Sequence, residues 1–212
     1  MKLLPLILVP ALISFASTAS AATLQSVSAT GNPSTNGWTL DNGNEFTSGG
    51  GDWAIYGPEN ATRSFGDLLV GESVSIDLST LGVAGGDFVG VDFRDAGTTG
   101  IGFNFEGGTT NYNHVSNSGI TDTGIGFTTN FQTLTLLNAD GTNYTLSADG
   151  TDFINLNLAN SATAINEIRV FNETSGSGND VLFNNFEVVP EPGSFALLAG
   201  LFGLAFVALR RR

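Results

Sequence analysis

The stretch "SVSIDLSTL" (residues 73–81) decides the fold class. Val74, Ile76 and Leu78 point one way, and Ser73, Ser75, Asp77 and Ser79 the other. A period of two is the mark of a strand with one buried face. The pattern recurs along the chain. In "FVGVDFRD" (88–95) Val89, Val91 and Phe93 alternate with Gly90, Asp92 and Arg94. In "IGFNFEG" (101–107) Ile101, Phe103 and Phe105 share a face. In "DFINLNL" (152–158) the alternation puts Ile154, Leu156 and Leu158 opposite Phe153, Asn155 and Asn157. In "VLFNNFEV" (181–188) it puts Leu182, Phe186 and Val188 on one face, interrupted by Asn184. No long stripe of helical period competes with these runs.

Turn chemistry separates them. Asp140-Gly141 and Asp149-Gly150 bracket "NYTLS" (143–147) and read as two hairpin turns. "NETSGSGND" (172–180) reads as a longer polar loop. Short strands with polar turns about every 8–12 residues predict an all-β antiparallel two-sheet sandwich. A jelly roll of the concanavalin-like type is the favoured form and an immunoglobulin-like sandwich the alternative. The phenylalanines are expected to fill the space between the sheets.

The chain has 212 residues, no cysteine, one histidine and a formal charge of −13. Disulfides, Cys-based chemistry and multi-His zinc sites are excluded. Four of the seven basic residues are terminal: Lys2, Arg210, Arg211 and Arg212. Between Ala22 and Val189 the only cations are Arg63, Arg94 and Arg169. Such a body repels nucleic acid and anionic lipid, which both need a basic surface.

The two ends are more explicit. "MKLLPLILVPALISFASTASAAT" (1–23) has a basic start, an apolar run and the small-x-small site Ala19-Ser20-Ala21, the design of a secretory signal peptide. Residues 1–21 are therefore expected to be removed by signal peptidase, leaving a body of residues 22–188. At the other end, Gly193 to Leu209 is uncharged and mostly apolar. As a helix it would rise about 25 Å, enough for one transmembrane span. Arg210, Arg211 and Arg212 would hold its end in the cytoplasm as a membrane stop.

Pro190-Glu191-Pro192 precedes that run directly. Two prolines two apart keep the backbone extended. The order Pro-Glu-Pro, apolar span with glycines, terminal arginines resembles the PEP-CTERM sorting signal of exported bacterial proteins, over residues 189–212. The resemblance implies recognition of Pro190, Glu191 and Pro192 by exosortase, a membrane cysteine protease. It also implies a Gram-negative, exopolysaccharide-making host, transient membrane anchoring, and a final place at the cell surface or in the matrix. "DVLFNNFEVVPEP" (180–192) resembles the last strand of jelly-roll ectodomains that lead into this signal.

Within the body no catalytic motif stands out. The Glu-x-Asp-x-x-Glu of laminarinase-type jelly rolls is absent. Asp92 and Asp95 read as a solvated strand end, Asp87 and Glu106 as single carboxylates, and His114 as an exposed strand or loop histidine. "TSGGGDW" (47–53) lacks the lysine of a phosphate loop. Loops "DNGNE" (41–45), "NADGTN" (138–143) and "SGSGND" (175–180) offer the oxygen ligands a structural calcium ion takes, and equally serve as plain turns. Otherwise no cofactor is expected. Trp38, Trp53, Tyr56 and Tyr112 are the candidate sugar platforms, with core packing the ordinary use of each tryptophan. The Asn-x-Thr triplets at Asn60, Asn143 and Asn172 are what a body so rich in Asn and Thr contains by chance. The expectation is a non-enzymatic, exosortase-sorted surface or matrix protein that touches exopolysaccharide. The alternative is a secreted glycan-active enzyme with an unrecognised carboxylate pair.

Overall fold

The computed structural model describes residues 24–174 and 180–190. It holds fifteen strands and a single 3-10 turn at Pro33–Asn36. In chain order the strands are β1 (Gln25–Val27), β2 (Thr39–Leu40), β3 (Glu45–Thr47), β4 (Trp53–Ile55), β5 (Glu59–Ser64), β6 (Ser73–Thr80), β7 (Phe88–Asp95) and β8 (Thr98–Glu106). They continue with β9 (Asn111–Ser116), β10 (Gly119–Gly126), β11 (Gln132–Asn138), β12 (Tyr144–Ala148), β13 (Thr151–Leu156), β14 (Glu167–Asn172) and β15 (Val181–Val189).

Every pairing is antiparallel. One sheet has eight strands in the order β13-β12-β11-β6-β15-β4-β3, with β1 also on β15; the other has seven in the order β10-β9-β8-β7-β14-β5-β2. The protein is an all-β two-sheet sandwich of jelly-roll type. The immunoglobulin-like alternative is set aside, because that fold has seven to nine strands in total.

The alternation in β6 is realised as read. Val74, Ile76 and Leu78 are buried, and their partners on β11 are Leu134 and Leu136 for the first two. Apolar inner faces from both sheets meet in one core. Trp38 lies at its centre, with ring centroids 4.9 Å from Phe183, 5.8 Å from Trp53 and 5.7 Å from Phe186. A second aromatic group joins Phe103, Phe105, Tyr112 and Phe127.

Three local readings change. In β13 strict alternation fails. Asn155 takes φ 58°, a bulge opens between the Tyr144 and Leu146 pairings, and Phe153 and Leu156 turn inward. Ile154 is thrown outward, 65% exposed. In β15 the same device acts at Asn185, φ 49°. Val181 and Phe183 face the core before the bulge, Phe186 and Val188 after it, and Leu182 does not. The Asn184 side chain fills the break, accepting from Ala29 N at 2.8 Å and donating to Asp52 at 2.9 Å. It joins the stretch of β15 that pairs β4 to the stretch that pairs β1. A bulge shifts the inward set by one residue, which a period of two cannot anticipate.

The third change is at the two Asp-Gly turns. Asp149-Gly150 makes a two-residue hairpin, with both residues at positive φ (50° and 82°) and Ala148 paired to Thr151. Asp140-Gly141 does not. It lies in a five-residue loop between Asn138 and Tyr144, in which Asp140 accepts from Thr142 N and Asn143 N.

Candidate functional site

Two regions outside the core collect polar chemistry. The first is the outer face of the seven-stranded sheet. Since Val91, Phe103 and Val170 point into the core, their neighbours in sequence point out. The registers align Asp122, Asn113, Asn104, Gly90, Phe171 and Asn60 in one row across β10, β9, β8, β7, β14 and β5. The next row carries Val115, Gly102, Asp92, Arg169 and Thr62.

The second row is tied together. Arg169 pairs with Asp92 through Nε at 3.0 Å and through Nη2. Thr99 Oγ1 donates to the same carboxylate at 3.0 Å. The Arg169 guanidinium also lies 4.7 Å from the centre of the Phe171 ring. Asp92 is thus a buried carboxylate in mid-strand paired with a partly open arginine, not the solvated strand end its sequence suggested. Gly102 makes room for it: a Cβ there would stand 2.8 Å from Asp92 Oδ1. Asn104 is buried beside it, and its Oδ1 has no hydrogen-bond partner.

The second region is the end from which the chain leaves at Val189. Loops 64–72, 139–143 and 157–166 gather there. A pocket of about 230 Å³ is lined by Gly141, Thr142, Asn157, Leu158, Ala162 and Thr163. Nearby, Asn166 Nδ2 donates to both Asp67 (3.1 Å) and Asp95 (3.3 Å), so two carboxylates share one donor. Asp95 also accepts from Thr163 N, Thr163 Oγ1 and Ala164 N. The Thr163 backbone bond above all, with the other donors, holds its pKa below the usual carboxylate range. Tyr144 is pushed up by burial first, and then by Asp95 and Asp67.

The remaining sequence candidates fall elsewhere. Trp38, Trp53 and Tyr112 are core residues, 3%, 0% and 2% exposed; Tyr56 alone of the four is open, 44% exposed and beside Phe46. Loop 41–45 is folded around a carboxylate that sequence reading passed over. Glu59, 2% exposed, accepts from the backbone N–H groups of Asp41, Asn42, Asn44 and Asn60 at 2.7–3.0 Å. The inner lining of that loop is therefore built of donors. Among the described residues no group of three His, Asp or Glu side chains is gathered as a metal site. Loop 175–179 lies outside the described residues, as do Ala19, Ala21, Glu191, Pro192, the run 193–209 and Arg210, Arg211 and Arg212. Pro190 follows β15 directly and is half-buried.

His114 is buried, not exposed. It sits on the inner side of β9, with its ring 5.2 Å from Phe153 of the opposite sheet. Burial pushes its pKa below the ordinary histidine value. The unfolded chain then takes up a proton more readily than the folded one. Stability is full above about pH 6.5 and falls as the pH drops below it. Since the chain has one histidine, His114→Phe is expected to flatten the slope of the denaturation midpoint between about pH 5 and 7. An unchanged slope would assign it to another group.

A jelly-roll body that runs without a linker into a Pro-Glu-Pro tail is the form of an exported protein with a sorting signal. Residues 188–212 match the family model of the PEP-CTERM protein-sorting motif, and the chain carries that motif. The motif marks an exported protein whose membrane-anchored tail is handled by exosortase. No curated protein matches the chain. Among solved structures it is similar to a sialidase (TM-score 0.56, 12% identity, 74% of this chain and 17% of that one). It is also similar to a glycosyl hydrolase family protein from Mycobacterium fortuitum (0.52, 13%, 77% and 96%). A third is the botulinum neurotoxin serotype D binding domain (0.50, 10%, 73% and 44%). The chain spans less than half the length of the first and third. These are likenesses of fold.

Proposed function

We infer that the mature body is a non-enzymatic glycan-contacting module of a cell-surface or matrix protein, delivered by the exosortase route of a Gram-negative bacterium and associated with its exopolysaccharide. The carrying observation is the row Asp122, Asn113, Asn104, Gly90, Phe171 and Asn60. It sets Asp122, Asn113 and the buried Asn104 on adjacent strands, about 4.8 Å apart, with Asn60 farther along the same row beyond Gly90 and Phe171. Such groups bind hydroxyls in pairs, and a repeating polymer presents hydroxyls at regular intervals. The three body arginines are all engaged, Arg63 with Gln25, Arg94 with Glu167 and Arg169 with Asp92. An acidic face without spare cations favours neutral over acidic polymers.

The absence of catalysis is a separate part of this reading. It is supported by the surroundings of Asp95. A glycosidase needs one carboxyl that keeps its proton near neutral pH, whereas the donors around Asp95 hold it ionised.

Retention of the secreted protein on columns of neutral and acidic bacterial polysaccharides tests the proposal. Asn60→Ala with Asn113→Ala, both at partly open positions, is expected to lower retention on the neutral polymer several-fold with folding unchanged. Equal retention of parent and variant would remove this face as the site. Retention of neither on any glycan would leave a purely structural role.

A further inference from the structure

The outer face of the eight-stranded sheet carries a row with four exposed apolar side chains at the end where the chain heads for the membrane. Val189 pairs with Ser73, and Ser73 with Leu137, whose neighbour on β12 is Thr145. Leu24 continues β1 one residue beyond the Gln25–Val188 pair, and so stands opposite Val189. On β13 the bulge sets Ile154 and Asn155 against Thr145. Leu24 is 58% exposed, Val189 39%, Leu137 37% and Ile154 65%. The row crosses six strand positions, about 24 Å at the usual strand spacing. The next row up is Ser26, Glu187, Ser75, Thr135 and Ser147, with no apolar member. Above it stand Asp77 and Thr133. The two rows above the base are thus polar to acidic, and only beyond them does an apolar row return, with Leu182, Ala54 and Phe46.

Other exposed apolar side chains, such as Leu81 and Phe131, lie toward the opposite end of the sheet, away from Val189. What sets the base row apart is the exit of the chain. Only Pro190, Glu191 and Pro192 separate Val189 from the apolar run that opens at Gly193. Four residue steps reach at most about 14 Å. The headgroup zone on each side of a bilayer is about 5–8 Å thick. While the tail is anchored, Val189 is therefore confined to the membrane surface.

We propose that Leu24, Leu137, Ile154 and Val189 form a membrane-contacting edge, which seats the sandwich in the interface of a zwitterionic bilayer before the tail is cut. The proposal rests on the reading of residues 193–209 as a membrane span. Side chains of this kind enter the boundary between headgroups and acyl chains, while Glu187 and Asp77 stay in water. The Pro-Glu-Pro segment would then be held between body and bilayer, at the depth where a membrane protease works. Release of the tail would uncover the edge.

The chain has no cysteine, so single labelling sites are simple to introduce. The full-length protein is placed in phosphatidylcholine nanodiscs with a polarity-sensitive fluorophore on Leu137→Cys, Ile154→Cys or, as a distal control, Asp149→Cys. Iodide quenches from the water, and a headgroup spin label from the lipid. The expected result is several-fold weaker iodide quenching at 137 and 154 than at 149, with the order reversed for the lipid quencher. Discs that retain the protein while all three sites quench alike would overturn the edge and leave the anchor intact. Protein that does not stay with the discs would overturn both. Protection seen only when exosortase shares the disc would overturn the bilayer as partner in favour of the protease.

Discussion

Arg169→Ala is expected to cost about 3–5 kcal/mol of folding free energy, because it leaves the Asp92 carboxylate buried without its cation. Thr99 Oγ1 would remain as a donor, but one hydroxyl does not replace a guanidinium that binds through two nitrogens. The loss also frees the Phe171 ring from its covering cation. Urea unfolding at neutral pH measures the effect. Arg169→Ala with Asp92→Asn is the informative companion. A neutral amide is cheaper to bury than a carboxylate, so the double variant should regain a good part of the loss. If Arg169→Ala alone costs under about 1 kcal/mol, the pair behaves as a surface salt bridge and its burial has no energetic meaning. Because Asp92 and Arg169 lie in the row beside the proposed glycan face, any fall in polysaccharide retention must be corrected for this loss of folding.

Glu59→Ala should rank second, at about 2–4 kcal/mol. Its carboxylate is the common acceptor for four backbone N–H groups, and no other group in the 41–45 loop replaces it. The exposed tip of the loop can turn to water, which keeps the cost below the sum of four lost bonds. Glu59→Gln keeps one acceptor oxygen and aims an amide N–H at the remaining donors, so it should fall between parent and alanine. Hydrogen exchange separates a local from a global effect. The amides of Asn42 and Asn44 should lose protection in Glu59→Ala under conditions where the β6 and β11 amides keep theirs, whereas Asp41 N keeps the Asn60 carbonyl as an acceptor. Retained protection at Asn42 and Asn44 would show that the carboxylate is not what holds the loop.

How much of this was legible in the sequence follows from the range of each interaction. β6, β7 and β8 could be read because their alternating runs, 74–78, 89–93 and 101–105, end before the irregularity at the Phe93/Arg94 pairing. The Asp149-Gly150 hairpin could be read because a two-residue turn is a local matter. β13 and β15 were misread at Asn155 and Asn185, where one residue at positive φ reverses the face. Asn is a residue that tolerates this conformation, so the signal was there, though many Asn residues of the chain do not use it. Glu59 and His114 escaped because burial is decided by strands far away in the chain. The Asp92–Arg169 pair left one clue, the scarcity of cations: with three arginines in an acidic body, each was bound to be claimed. The sorting motif was legible in full, since it is read as a linear segment. The row proposed to meet glycan was not, since it exists only once six strands are in register.

The position of β15 bears on the order of events during export. It is the last strand of the body, yet it lies inside the eight-stranded sheet, with β6 on one edge and β1 and β4 on the other. The bond from Ala29 to Asn184 joins residues 155 apart. A chain delivered from its N-terminus can form hairpins early, such as β11–β12 and β12–β13. It has no strand to place between β6 and β1 until residue 189 has emerged. The eight-stranded sheet therefore stays open until nearly the whole body has been supplied. The strand that comes last in the body is thus the one that closes the sheet, and the fold works as a latch set by its own C-terminal strand.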